Sequence, residues 1–251
     1  MYDFAAKVLA AKETSIFSVG QAGFIVKSSR GQMLAIDLYL SECVERVEGN
    51  TGFKRLLPCI LEPDELNFDV VICTHPHLDH FDIDSVPEMM GSSTKLFASV
   101  NCEKLVEQLH MEYHMDGITY VKPGDKATVG DFDIIFVNCD HGTGAPDAVG
   151  VVIKVDKKVI YEAGDTCLRL DQTDEIPQPL DALIAPINGT FGNLDEEECS
   201  ILAKNLGPAI TIPCHYGMFA SHHGDIGKFY DIMSKKKLPF LLMRQGEQYK
   251  L

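Results

Sequence analysis

The sequence predicts an α/β fold, and three observations lead to it. Short runs of β-branched and aromatic residues recur along the chain, broken by turn residues. Helix-patterned segments stand between some of these runs. The run Asp69–Thr74 (DVVICT) reads as a buried strand that ends on a cluster of histidines. No linker or low-complexity segment interrupts the 251 residues, so residues 1–251 read as one domain.

The elements follow in order. Tyr2, Phe4, Ala5, Val8 and Leu9 fit one face of a short amphipathic helix. Residues 15–19 and 23–27 read as strands, and the turn Ser28-Ser29-Arg30-Gly31 leads into a third over 32–39, which suggests a hairpin. Residues 40–67, with Pro58 and Pro63, are polar and irregular, and read as a surface insertion near a site. A strand over 95–99 and a helix over 101–112 come after 69–74, and 117–161 is rich in strands. A strand at 181–186, a helix at 195–206 and a strand at 209–214 come next. Asp195 with Glu198 three residues on is a capping-box spacing, and Gly207-Pro208 stop that helix. A helix near 224–235 and a hairpin-like pair, 238–243 with 246–251, complete the pattern. Both halves start strand-rich and turn to helix–strand alternation, a hint of a pseudo-repeat.

Composition excludes several functions. Lys plus Arg is 22 against 37 Asp plus Glu, a net charge of −15. Such a surface repels a phosphate backbone, so no nucleic-acid partner is expected. The longest apolar run, LPFLLM at 238–243, is far short of the ~18–20 residues of a membrane helix, so no membrane partner is expected either. The N-terminus has no basic region ahead of an apolar stretch and does not read as a signal peptide. Eight cysteines without a CxxC then read as free thiols in a cytoplasmic protein.

Chemistry concentrates in the histidines. His75, His77 and His80 lie within six residues together with Asp79, directly after the buried strand. A loop there stands on a rigid support, and His and Asp are the side chains that bind borderline divalent metals. Such a loop can serve two metals about 3.5–4 Å apart. His141, Asp165 and His215 each fall where a predicted strand meets a loop.

In chain order these residues form the pattern HxHxDH, then His, then Asp, then His, and the sequence resembles the metallo-β-lactamase superfamily. Within it the resemblance is closest to the L-ascorbate-6-phosphate lactonase-like branch, carried by Gly20-Gln21-Ala22-Gly23, Ala35-Ile36-Asp37, Val121–Asp125 and Pro213–Gly217. The resemblance implies an αββα sandwich of two mixed sheets flanked by helices, with two divalent metal ions at one edge; His/Asp sets suit Mn or Zn first, and Fe also. It implies that His75, His77 and His141 hold one ion, that Asp79, His80 and His215 hold the other, and that Asp165 bridges them. A metal-bridging hydroxide is then the nucleophile and Asp79 the catalytic carboxylate, opening a small anionic lactone, a phosphorylated sugar in that branch. The alternatives are a phosphodiesterase using the same ions and a metal-binding sensor or scaffold without turnover.

Other residues are expected near a substrate. An acidic protein that takes an anion needs a local cation, so Arg169 or the pair His222 and His223 is a candidate, and Asn188 lies in a Gly-flanked loop. His110 and His114 read as surface residues. Asp37 is expected to orient a ligand histidine. Cys73, Cys139 and Cys214 read as packing residues beneath the site, and Cys167, two residues from Asp165, is the one thiol near enough to compete as a ligand. The partner expected is a small anionic molecule, and the sequence also allows a homo-oligomer.

Overall fold

The computed structural model describes residues 3–111 and 117–251. The first sheet holds β1 (Ser15–Gly20), β2 (Gly23–Lys27), β3 (Met33–Ile36), β4 (Val70–Cys73), β5 (Lys95–Ser99), β6 (Ile118–Val121) and β13 (Gln248–Lys250), in the order β13-β1-β2-β3-β4-β5-β6. The second holds β7 (Lys126–Val129), β8 (Phe132–Asn138), β9 (Val149–Val155), β10 (Lys158–Glu162), β11 (Ala182–Pro186) and β12 (Ile210–Cys214), in the order β12-β11-β10-β9-β8-β7. Each sheet begins with antiparallel hairpins and ends with parallel strands: β3 to β6 in one, β10 to β12 in the other. The repeat hinted at in the sequence is this shared topology.

Strands buried on both faces explain the continuous apolar runs. In β2, Phe24 and Val26 belong to the core between the sheets, where they join Leu34, Ile72, Ile134 and Ile153. Ile25 points the other way, into the layer with Phe4, Val8 and Val106 from α1 (Phe4–Ala10) and α4 (Cys102–Gln108). Leu183 and Ala185 of β11 pack outward on Leu202 and Phe229 from α5 (Glu196–Leu206) and α6 (Ile226–Lys236). The result is the expected αββα sandwich. Each buried Ile, Leu or Phe contributes about 1.5–3 kcal/mol over an exposed one.

Local chemistry sets the ends. The Asp195 carboxylate accepts from Glu198 N while the Glu198 carboxylate accepts from Asp195 N, so the capping box forms as expected. β3 stops at Ile36 because Asp37 turns left-handed at φ +49°. Several expectations are corrected. Residues 40–67 are not wholly irregular, since α2 (Cys43–Glu48) forms within them. The helix expected over 101–112 ends at Gln108. Residues 238–243 and 246–251 do not pair as a hairpin. Pro239 interrupts the first, whose Phe240 bridges Thr211 of β12, while β13 joins β1. His110 is exposed, as expected. Tyr2 and His114 lie outside the described residues. No helix among the described residues is long and apolar enough to cross a membrane.

Candidate metal centre

Strand ends of both sheets converge on one edge of the sandwich. β4 runs through Thr74 into His75, and a tight loop carries His77, Asp79 and His80, whose backbone N–H donates to His77 O at 2.9 Å. From the second sheet come His141 after β8, Asp165 after β10 and His215 after β12. Gly164 allows the turn into Asp165: its φ is +67°, and a Cβ there would stand 2.9 Å from Val149 O.

The ligand-type atoms fall into two sets. His75, His77, His141 and Asp165 form one, and Asp79, His80 and His215 the other, with the atoms of each set within 4.8 Å of one another. His75 Nε2 lies 2.9 Å from His77 Nδ1, and His141 Nε2 lies 3.1 Å from that same atom. Ligand nitrogens ~2.0–2.1 Å from a shared ion stand about 2.8–3.4 Å apart for octahedral to tetrahedral angles, so the spacing suits an ion between them. Asp165 Oδ2 faces both sets, 3.9 Å from His141 Nε2, 3.4 Å from His80 Nε2 and 3.2 Å from His215 Nε2.

Neighbouring groups fix the tautomers. The Thr74 hydroxyl donates to Asp37 Oδ2 at 2.6 Å, so its oxygen is left to accept from His75 Nδ1 at 3.1 Å. The His75 Nε2 lone pair then faces the site. His80 Nδ1 donates to Asp37 Oδ2 at 2.7 Å, which turns its Nε2 inward, where the proton of the cationic form would give way to a bound ion. Asp37 is thus the orienting residue expected from the sequence. Buried donors and acceptors are normally satisfied, yet His80 Nε2, His141 Nδ1 and Asp165 Oδ1 are buried without a hydrogen-bond partner. Orphaned His and Asp atoms facing each other fit divalent cations.

The two sets differ in charge. Burial lowers the pKa of His75 and His77 and takes that of His141 down to about 4, so all three are neutral and ready to ligate. Burial also opposes charging of His80 and His215, but the nearby carboxylates prevail. Asp165, Asp37 and Asp79 hold His80 well above its usual value, and Asp165 and Asp79 raise His215 to about 9. Conversely, burial disfavours the Asp79 and Asp165 anions, and the cations of His80 and His215 outweigh it and push both well below the carboxylate range.

The expected substrate contacts separate. A cleft of about 700 Å³ has His77, Asp79, His141, Asp165 and His215 among its lining, and His222 also lines it. Arg169, Asn188 and His223 are not among the residues that line it. The Arg169 guanidinium is engaged by Asp140 at 2.6 Å and by Asp171 at 2.7 and 2.9 Å. Asn188 is buried, donating to Thr190 Oγ1 and accepting from Asn193 Nδ2, each at 3.0 Å, and so braces its own loop. His223 Nδ1 sits 3.1 Å from Gly224 O. Cys167 belongs to neither ligand set, and Cys73, Cys139 and Cys214 are buried.

Gln21 entered the sequence reading only as part of the Gly20–Gly23 segment, with no role at the site. Its side-chain amide donates to Asp79 Oδ2 at 2.8 Å and lies 3.1 Å from His215 Nδ1. The signal was a polar residue inside a Gly-rich turn, where it takes φ +53°. Asp82 was missed too: its buried carboxylate accepts from Leu40 N and Ser41 N and ties the start of the 40–67 segment to the histidine loop.

Residues 40–216 match the beta-lactamase superfamily domain. The chain belongs to the metallo-β-lactamase superfamily. It is 24% identical over 240 residues to a UPF0173 metal-dependent hydrolase from Thermococcus kodakarensis, covering 93% of this chain and 97% of that one. Among solved structures it resembles Igni18, a metallo hydrolase from Ignicoccus hospitalis, with a TM-score of 0.71 at 22% identity over 95% and 98% of the two chains. The metallo-β-lactamase fold protein YhfI from Bacillus subtilis also gives 0.71, at 16% identity over 95% and 100%. The two solved structures share the sandwich described above.

Proposed function

We propose that the protein is a metal-dependent hydrolase that uses two divalent ions, Mn or Zn foremost, to open an ester or lactone carbonyl. The observation that carries this reading is the convergence of seven His and Asp side chains, in two sets joined at Asp165, of which five line the floor of one cleft and His75 and His80 lie buried behind it. Bound there, the ions would bring a water's pKa towards ~7 and polarise the carbonyl under attack. The chain's own residues do the rest. Asp79 is the carboxylate at the cleft floor that accepts the proton from the attacking water. Gln21 holds Asp79 by donating to its Oδ2 and fixes its direction. Asp37 and Thr74 keep His80 and His75 in the ligating tautomer.

The phosphorylated-sugar version of the reading came from the branch resemblance, and its physical support was a local cation, Arg169 or the pair His222 and His223, of which His222 alone lines the cleft. Arg169 is held by two aspartates away from the cleft, so the lactone is retained and the phosphate is not. A phosphodiesterase has no specific observation in its favour.

Elemental analysis of protein purified without chelator should approach two equivalents of metal, falling in Asp165→Ala. Asp79→Asn keeps the size but not the proton acceptor, and should lower ester or lactone turnover by about 10²–10⁴-fold. One equivalent unaffected by Asp165→Ala, or Asp79→Asn with near-native rates, would refute the binuclear reading or the role of Asp79 respectively.

A further inference from the structure

The cleft walls contrast with its floor. Val44, Val47, Phe53, Ile83, Leu105, Leu109, Phe191 and Phe219 stand around the metal-ligand set. No Lys or Arg lines the cleft, and the undescribed residues 1–2 and 112–116 contain neither type. Among the described residues, the acidic ones that line it are Glu48, Asp79 and Asp165. Two divalent ions would offset the aspartates at the floor. Among the described residues no Lys or Arg stands beside Glu48 at the mouth, so an anionic group remote from the reacting carbonyl finds no cationic partner there.

The mouth is also apolar where it meets solvent. Val47 is 55% exposed, Leu109 45% and Phe191 63%, and these belong to the few large hydrophobic side chains that the protein leaves exposed. A set of apolar groups left open around a polar centre marks a binding surface rather than ordinary surface scatter.

A second, independent observation points to the same wall. Phe191 and His222 both have left-handed backbones, at φ +55° and +58°. His visits that region more readily than most residues, but a bulky Phe there is a true outlier and persists only where its surroundings impose it. The two rings lie 4.6 Å apart, and the His222 ring stacks on Phe53 at 5.5 Å with 15° between the planes. Ser221 Oγ lies 2.6 Å from His222 Nδ1 and fixes the imidazole between the two phenyl rings. The left-handed backbones here line up a stack of three rings, with 38° between Phe191 and His222, along one wall of the cleft.

We infer that the cleft takes an uncharged substrate with an extended apolar body, an acyl chain or an aryl group, laid along the Phe53–His222–Phe191 wall with its ester or lactone carbonyl at the floor. This rests on the hydrolase reading for the position of the carbonyl. It replaces a phosphorylated sugar by an amphiphile.

The test uses the full chain loaded with Mn or Zn and has two arms. Calorimetry measures binding of straight-chain carboxylates from acetate to decanoate, which stand in for the acid product. Turnover is measured on p-nitrophenyl esters and γ-lactones of the same chain lengths, beside a sugar lactone 6-phosphate. Affinity and kcat/KM should climb with chain length, by up to about 4-fold per added methylene. Phe191→Ala should flatten that climb while the metal content stays at the wild-type value. Acetate and decanoate binding alike, or the 6-phosphate turning over faster than every long-chain compound, overturns the inference. If the climb appears in binding but no ester or lactone is hydrolysed, the hydrolase reading falls and the apolar site stands. Hydrolysis without the climb has the opposite meaning.

Discussion

Replacing Asp37 by Asn removes one charge and almost no volume from beneath the metal centre. The Asp37 carboxylate accepts three hydrogen bonds: Thr74 N at 2.8 Å, Thr74 Oγ1 at 2.6 Å and His80 Nδ1 at 2.7 Å. Asn tolerates the left-handed backbone at this position, so the change does not test strain. Its oxygen can keep Thr74 N, but its amide then faces His80 Nδ1 as a second donor. His80 is relieved by moving its proton to Nε2, the atom that faces Asp165 and Asp79. A protonated Nε2 cannot ligate. Hydrogen bonds to charged groups contribute about 1.5–3 kcal/mol, and losing such an orienting partner typically costs 10–100-fold in metal affinity. At ~1.4 kcal/mol per tenfold, the two figures agree. We expect one of the two ions, the one held by Asp79, His80 and His215, to bind 10–100-fold more weakly in Asp37→Asn, measured by chelator competition. The other should change little, because the link from Asp37 to His75 runs through the Thr74 hydroxyl, which can turn. An Asp37→Asn protein that binds both ions with unchanged affinity would refute the tautomer argument.

Three further outcomes are expected. In metal-free protein, His215 titrates near 9 against ~6.5 unfolded. Its stabilising contribution is therefore complete below about pH 6.5 and is lost as pH rises to 9; melting temperatures with and without metal should diverge over that window, and parallel curves would contradict the charge state assigned to His215. Gly164→Ala forces a Cβ towards Val149 O in a left-handed turn; it should destabilise the fold by about 1–3 kcal/mol and lower the metal content, since Asp165 is the next residue, whereas a native melt and full metal would show that the turn relaxes freely. Cys167→Ser should keep both ions and turnover within about tenfold, ~1.4 kcal/mol, and loss of metal in that variant alone would make the thiol a ligand.

The sequence made the metal centre more legible than the cleft. Ligating side chains are few in kind and their order along the chain is distinctive, so His75 to His215 stood out before any geometry. The strands were legible where a run was apolar on both faces, as in β2 and β4, and α5 was bounded by its capping pair. The C-terminal strands were misjudged because a hairpin is a local reading, and Phe240 and Gln248 find partners in two different sheets. Arg169 shows a related failure: its charge is visible in the sequence, its neutralisation by Asp140 across 29 residues is not. The apolar cleft wall was hidden for the same reason. Val47, Leu109 and Phe191 look like ordinary core residues until the fold leaves them facing solvent.

Asp165 and His215 belong to one sheet and Asp79 and His80 to the other, so any ion held between them is also a clasp between the two halves of the chain. During synthesis the histidine loop emerges long before His215, and no complete ligand set exists until the second sheet has formed and docked. A cation bound there would therefore report finished assembly rather than nucleate it. Parting the sheets would break its bonds to one of them, so such an ion would slow that separation. A cell short of the metal would then hold a protein that folds at its usual rate but comes apart faster, and its lifetime against proteases would follow the supply of the ion.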